Sequence, residues 1–172
     1  MTKDLRVNAD RMAASFNQLA LIGATAEGGV HRPTFSESHL AARKWFQEEI
    51  ERSGLEFYID GASNHSARLT FEPANLPTLL LGSHLDSVPD GGRFDGALGV
   101  MAALEVLRTI KDNGIKLHVN LEAVDFTDEE GTLVGLLGSA ALAGHLDPKL
   151  LQNPRGGRDN LVEGMKRAGL SD

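Results

Sequence analysis

Two short polar segments hold most of the side chains in this sequence whose types and spacing suit metal-assisted chemistry. The first runs Gly82-Ser83-His84-Leu85-Asp86-Ser87-Val88-Pro89-Asp90-Gly91-Gly92-Arg93-Phe94-Asp95-Gly96, and the second Asp125-Phe126-Thr127-Asp128-Glu129-Glu130-Gly131. His84 and Asp86 are two residues apart, so in an extended stretch both side chains face the same way. A carboxylate beside an imidazole can hold one ring N–H and aim the other nitrogen at a metal. Asp95 follows a Gly-Gly turn and opens a helix, where a short carboxylate can offer one oxygen to each of two ions. Asp128, Glu129 and Glu130 repel one another unless a cation compensates. In an extended stretch neighbouring residues point apart, so one glutamate of the pair can ligate while the other faces a water.

The surrounding pattern alternates helices and strands. Met12, Phe16, Leu19 and Ala20 recur at helical spacing before Gly23. A second helix is expected from Thr34, with Glu37 completing a capping box, through Leu40, Ala41, Trp45, Phe46 and Ile50 to Gly54. Leu55–Ile59, Ala67–Phe71, Thr78–Ser83 and Leu117–Phe126 read as strands, and Gly96–Asn113 as a helix stopped by Gly114. Beyond Ser139 the tail reads as helical pieces, one starting at Asn160 with Glu163. Strand, crossover helix, strand implies an α/β fold with a mostly parallel sheet flanked by helices. Sites in such sheets form at the carboxyl ends of strands, where both polar segments fall.

Composition narrows the classes. The chain has 172 residues, 17 Lys plus Arg against 24 Asp plus Glu, a net charge of −7 and no cysteine. An acidic chain without a basic run is a poor partner for nucleic acid. Without thiolates, any metal must be held by imidazole and carboxylate. Met1 to Asp10 lacks the apolar core of a signal peptide, and no apolar stretch is long enough to span a bilayer. A cytoplasmic protein without a membrane partner is the expectation. Gly135 and Gly138 fit neither phosphate-loop pattern and read as turn or packing glycines.

Taken singly, each motif has a bland reading: a satisfied histidine, a solvated acidic loop, a glycine turn. Taken in order, His84-x-Asp86, Gly91-Gly92-x-Phe94-Asp95-Gly96 and Glu129-Glu130-Gly131 closely resemble the motifs of the hydantoinase/carbamoylase family of dinuclear metal-dependent amidohydrolases. The family includes N-carbamoyl-L-amino acid hydrolases, allantoate amidohydrolases and β-ureidopropionases. Asp95 lies eleven residues after His84, a short interval that favours this branch over the related peptidases.

The resemblance implies a zinc-exopeptidase-like catalytic domain and two divalent ions, Zn²⁺ or Mn²⁺, with Co²⁺ or Ni²⁺ also suited to such ligands. It implies that His84 binds one ion, Asp95 bridges both and Glu130 binds the other. Glu129 would be the general base and Asp86 the partner that orients His84. The substrate would be a small N-carbamoyl or ureido compound, cleaved at a C–N bond by a metal-activated water. Two further histidine ligands belong to the family pattern and lie beyond this sequence. Residues 1–172 are therefore expected to be the N-terminal portion of an incomplete catalytic domain, without the dimerisation domain and the remaining catalytic segment. The longer enzyme is expected to be a homodimer, and this chain to self-associate.

None of His31, His39, His65, His118 and His145 is expected to fill the gap: His118 starts a strand at the wrong end, and His65 falls in a turn. Leu133 and Ala140 stand where the family often has arginine. Two other readings remain at this point. One is an aminoacylase- or peptidase-type hydrolase of N-acyl amino acids. The other is a catalytically inactive metal-binding or interaction module.

Overall fold

The computed structural model describes residues 4–73 and 75–170, so the outermost residues of the 1–172 assignment lie outside the described residues. The helices are α1 (Ala9–Leu21), α2 (Glu37–Arg52), α3 (Ala97–Asp112), α4 (Leu137–Leu142) and α5 (Arg158–Arg167). The strands are β1 (Glu56–Ile59), β2 (His65–Leu69), β3 (Thr78–Ser83) and β4 (Asn120–Asp125). They form one sheet in the order β1-β2-β4-β3.

The α/β class with flanking helices holds, but the sheet is mixed rather than mostly parallel. β3 and β4 run parallel, joined through α3, with Leu81 opposite Ala123 and Ser83 opposite Asp125. β1–β2 and β2–β4 are antiparallel. The physical reason is connection length. The short link between β1 and β2 permits a hairpin, whereas a parallel pair needs a long crossover, which only the chain between β3 and β4 supplies.

Periodicity placed α1 and α3 well, but two caps differ from expectation. Ser36, not Thr34, caps α2: its hydroxyl accepts from the His39 amide. Thr34 is held two residues outside the helix, where its hydroxyl donates to Asp86. Asn160 lies inside α5, whose cap is Gly157, so the expected capping box there does not form. His65 opens β2 rather than sitting in a turn.

α1, α2 and α3 supply Phe16, Leu19, Phe46, Ile50, Met101, Leu104 and Leu107 to one apolar core, which meets Ala67 and Ala123 of the central strands. All six residues of β4 are buried. β3 is the opposite case: an edge strand with Leu79 51% and Leu80 36% exposed and no charged side chain. Among the described residues no helix is long and apolar enough to cross a membrane.

Two predictions follow from this packing. Uncharged, apolar edge strands pair with other chains, so light scattering should find concentration-dependent self-association, reduced by Leu79→Lys. A monomer at every concentration would contradict it. The second concerns His65, whose pKa is pushed down to about 3 by burial, with Arg43 adding to it. The unfolded chain, with its histidine near 6.5, takes up a proton that the fold refuses. This contribution to stability is complete above about pH 6.5 and is lost as pH falls towards about 3. Buried carboxylates act in the opposite sense, so the diagnostic quantity is a difference: His65→Phe should gain stability relative to the parent chain as urea titrations move from about pH 7.5 to about pH 4.5. A pH-independent difference would contradict the assignment.

Candidate metal centre

The carboxyl ends of β3 and β4 lie side by side, and their loops bring the motif residues together. β3 ends at Ser83, whose carbonyl accepts from the Phe126 amide. The chain then places His84, Leu85 and Asp86 in the interior, all buried. The His84 ring is oriented by the main chain: Nδ1 lies 3.0 Å from the Asp86 carbonyl oxygen. A carbonyl can only accept, so Nδ1 carries the hydrogen and the Nε2 lone pair is free.

Around that nitrogen stand Glu129 Oε2 at 3.3 Å and Asp95 Oδ1 at 3.7 Å. His84, Asp95 and Glu130 each offer one donor atom, and the three atoms lie within 4.8 Å of one another. Asp95 reaches the cluster from the turn before α3, where Gly96, at φ 63, caps the helix. A Cβ at Gly96 would run into the His84 ring and carbonyl, so this close approach requires glycine.

The Asp86 side chain does not hold the His84 ring, as the resemblance implied it would; only the Asp86 main-chain carbonyl does. The Asp86 carboxylate is 3.6 Å from Nδ1, beyond hydrogen-bond length. It accepts instead from the Thr34 hydroxyl at 3.1 Å and from the amides of Glu129 and Glu130 at 3.3 and 3.2 Å. One buried carboxylate thus ties the β3 loop to the β4 loop. Burial pushes its pKa up to about 6, with Asp125 adding and His84 opposing.

Glu129 and Glu130 do not point to opposite faces as an extended segment would require. Asp128 adopts a left-handed conformation, φ 55, which breaks the extended run. Both glutamates line one open cavity of about 460 Å³ together with His84, Asp95, Leu136 and Ser139. Burial and then the nearby Asp95 charge push the Glu130 pKa up. A divalent cation would relieve that crowding. One imidazole nitrogen and two carboxylate oxygens suit Zn²⁺, Mn²⁺, Co²⁺ or Ni²⁺. The residues present therefore fit one divalent ion. Among the described residues no other group of this kind forms.

The remaining histidines have other surroundings. His39 Nδ1 accepts from the Phe35 amide at 2.9 Å inside the core. His118 precedes β4, at the far end of that strand from the cluster. A larger cavity, about 630 Å³, is apolar and bounded by Phe35, Leu137, Leu161 and Met165. Asp60 at its wall is already engaged by the amides of Ala62 and Asn64. Leu133 is buried against Phe35 and Leu161, so where the family often has arginine this chain has a core residue.

Sequence reasoning missed the network beneath the site. Asp125 is fully buried; its carboxylate receives Arg43 Nε at 2.8 Å and the Leu85 amide at 2.7 Å. Arg43 Nη2 donates to the Thr127 hydroxyl, which donates to the Ser63 carbonyl. A signal existed: Arg43 occupies the stripe of α2 that also carries Ala42, Phe46 and Ile50. An arginine on such a stripe is buried only when paired.

An imidazole and two carboxylates converge at the carboxyl ends of a parallel strand pair in an α/β protein, with a third carboxylate beside them, and together they could hold a metal ion. The model of peptidase family M28 matches residues 66–155. An N-carbamoyl-L-amino acid amidohydrolase of Geobacillus stearothermophilus is 37% identical over 166 residues, 95% of this chain and 41% of that protein. A ureidoglycolate hydrolase of Oryza sativa is 32% identical over 140 residues, 80% of this chain and 29% of that protein. A hydantoinase/carbamoylase family amidase of Burkholderia ambifaria superposes with a TM-score of 0.88 at 35% identity, covering 96% of this chain and 41% of that one. The chain belongs to peptidase family M28, and its resemblance to the hydantoinase/carbamoylase amidohydrolases holds over nearly its whole length. It spans about two fifths of the length of the Geobacillus relative.

Removing one partner of a buried ion pair strands the other charge. Arg43→Met should therefore cost about 3–5 kcal/mol in urea denaturation. Adding Asp125→Asn should recover part of that loss, because the stranded charge is then gone. A single-variant loss below about 1 kcal/mol, as for exposed pairs, would contradict the role given to Arg43.

Proposed function

We propose that this chain carries the N-terminal part of the catalytic centre of a metal-dependent amidohydrolase that cleaves the C–N bond of N-carbamoyl amino acids or related ureido compounds. The observation that supports the reading is the convergence of His84, Asp95 and Glu130 with Glu129 beside them in one open cavity. The resemblance to amidohydrolases named for such substrates supports the reaction class; the peptidase reading is carried by the family's name alone, since the relatives described above are named for carbamoyl or ureido chemistry.

In this reading His84, Asp95 and Glu130 would hold a divalent ion, and Asp95 is the most exposed of the three. When bound, such ions lower the pKa of a coordinated water and polarise a carbonyl. The protein's own groups supply the rest. Glu129 takes a proton from the attacking water at a carboxylate oxygen and delivers it to the departing nitrogen. It must not be a ligand itself, because that lone pair has to receive the proton. Asp86 fixes the backbone of Glu129 and Glu130 and the loop that carries His84, so base and ligands keep one geometry. A cytoplasmic setting and a homodimeric longer enzyme belong to the same reading.

The test is metal content by elemental analysis paired with hydrolysis of an N-carbamoyl amino acid. Glu130→Ala should lose metal. In the longer enzyme, Glu129→Gln should keep metal at the parent level and lose turnover by a factor of about 10² or more. Turnover of Glu129→Gln near the parent value would refute the base; full metal retention in Glu130→Ala would refute the ligand.

A further inference from the structure

Asp128 is fully buried, and no cation among the described residues pairs with it. Its carboxylate is instead enclosed by its own loop. Oδ1 accepts from the Leu133 amide at 3.0 Å, and Oδ2 from the amides of Val134 and Gly135 at 2.6 and 2.9 Å. Three converging N–H groups make a nest that stabilises a carboxylate without a counter-ion. The loop then closes on itself: the amides of Leu136, Leu137 and Gly138 return to the carbonyls of Glu129, Asp128 and Thr127. Closure brings Glu129, Glu130, Leu136 and Ser139 into the lining of one cavity with His84 and Asp95. The left-handed backbone of Asp128 turns both glutamates towards His84.

We infer that Asp128 is the positioning residue of this centre: its buried carboxylate, acting through the backbone of residues 133–135, sets Glu129, Glu130 and Leu136 in the lining of the same cavity. Asp128 touches no reacting atom. This inference rests on the metal-centre reading for its functional meaning, but its physical content is a claim about loop order. The charge of the carboxylate, the number of its acceptor sites and its left-handed backbone are separable by substitution. Asparagine tolerates that backbone and keeps one acceptor oxygen; glycine tolerates it and keeps none; alanine loses both.

The experiment compares the parent chain with Asp128→Ala, Asp128→Gly and Asp128→Asn by amide hydrogen exchange and by Mn²⁺ titration followed by electron paramagnetic resonance. In the alanine and glycine variants, protection at the Glu129, Glu130, Val134 and Gly135 amides should fall about tenfold or more, while Ala123 and Val124 of β4 stay protected. Mn²⁺ affinity should fall by about 10–100-fold, the range for removing a supporting partner of a metal site. Asparagine should restore most of both. Unchanged exchange at Glu129 and Glu130 in the alanine variant would overturn the inference. So would a glycine variant as good as asparagine, since the backbone conformation alone would then suffice. If alanine unfolds the chain, as β4 exchange would reveal, the glycine and asparagine variants decide. A parent chain that binds no Mn²⁺ would refute the metal centre and not the loop claim, which exchange at Glu129 and Glu130 still decides.

Discussion

Three aspartates with no solvent exposure, Asp86, Asp125 and Asp128, crowd the carboxyl ends of β3 and β4. A buried carboxylate is costly unless it is paired or well hydrogen-bonded, and the surrounding structure meets that demand three ways. Arg43 reaches from α2 to pair with Asp125. The Thr34 hydroxyl and two loop amides satisfy Asp86. Three amides of a closed loop satisfy Asp128. Each solution fixes a segment that bears a motif residue. Asp125 holds the Leu85 amide and so the chain between His84 and Asp86. Asp86 joins that chain to Glu129 and Glu130, and Asp128 shapes the loop they occupy.

Because the anchors are buried, the groups above them can be exposed and still ordered. Asp95 has a side chain 66% exposed and Glu129 35%, against 7% for His84. The imidazole is the rigid reference, held by a main-chain carbonyl, and the carboxylates stand around it at the cavity mouth. This gradient suits a centre whose open side must admit a small molecule. Under the proposed reading, three donors would leave further coordination positions open, as catalytic sites do and closed structural sites do not.

Much of this was legible in the sequence, and unevenly so. His84, Asp95, Glu129 and Glu130 stood out because their types and the glycines beside them are unusual together, and the structure brings all four to one cavity. The helices were readable because burial imposes a 3.6-residue period on their apolar residues. The mixed sheet was not readable: both faces of β4 are buried whichever way its neighbours run, so its residue pattern does not encode the direction of β2. Nor did the sequence distinguish Thr34 from Ser36 as a cap, since both fit the local pattern and only the contact with Asp86, 52 residues away, separates them. Arg43 and Asp128 act through long-range pairing and loop closure, to which residue spacing is blind.

The central claim is that His84, Asp95 and Glu130 form one divalent-metal site, and an anomalous difference map from crystals grown with Mn²⁺ tests it most directly. The account predicts a peak within bonding distance of His84 Nε2 and of carboxylate oxygens of Asp95 and Glu130, with Glu129 near the ion but not bound to it. Mn²⁺ bound elsewhere, or no peak at this cluster under saturating metal, would contradict it.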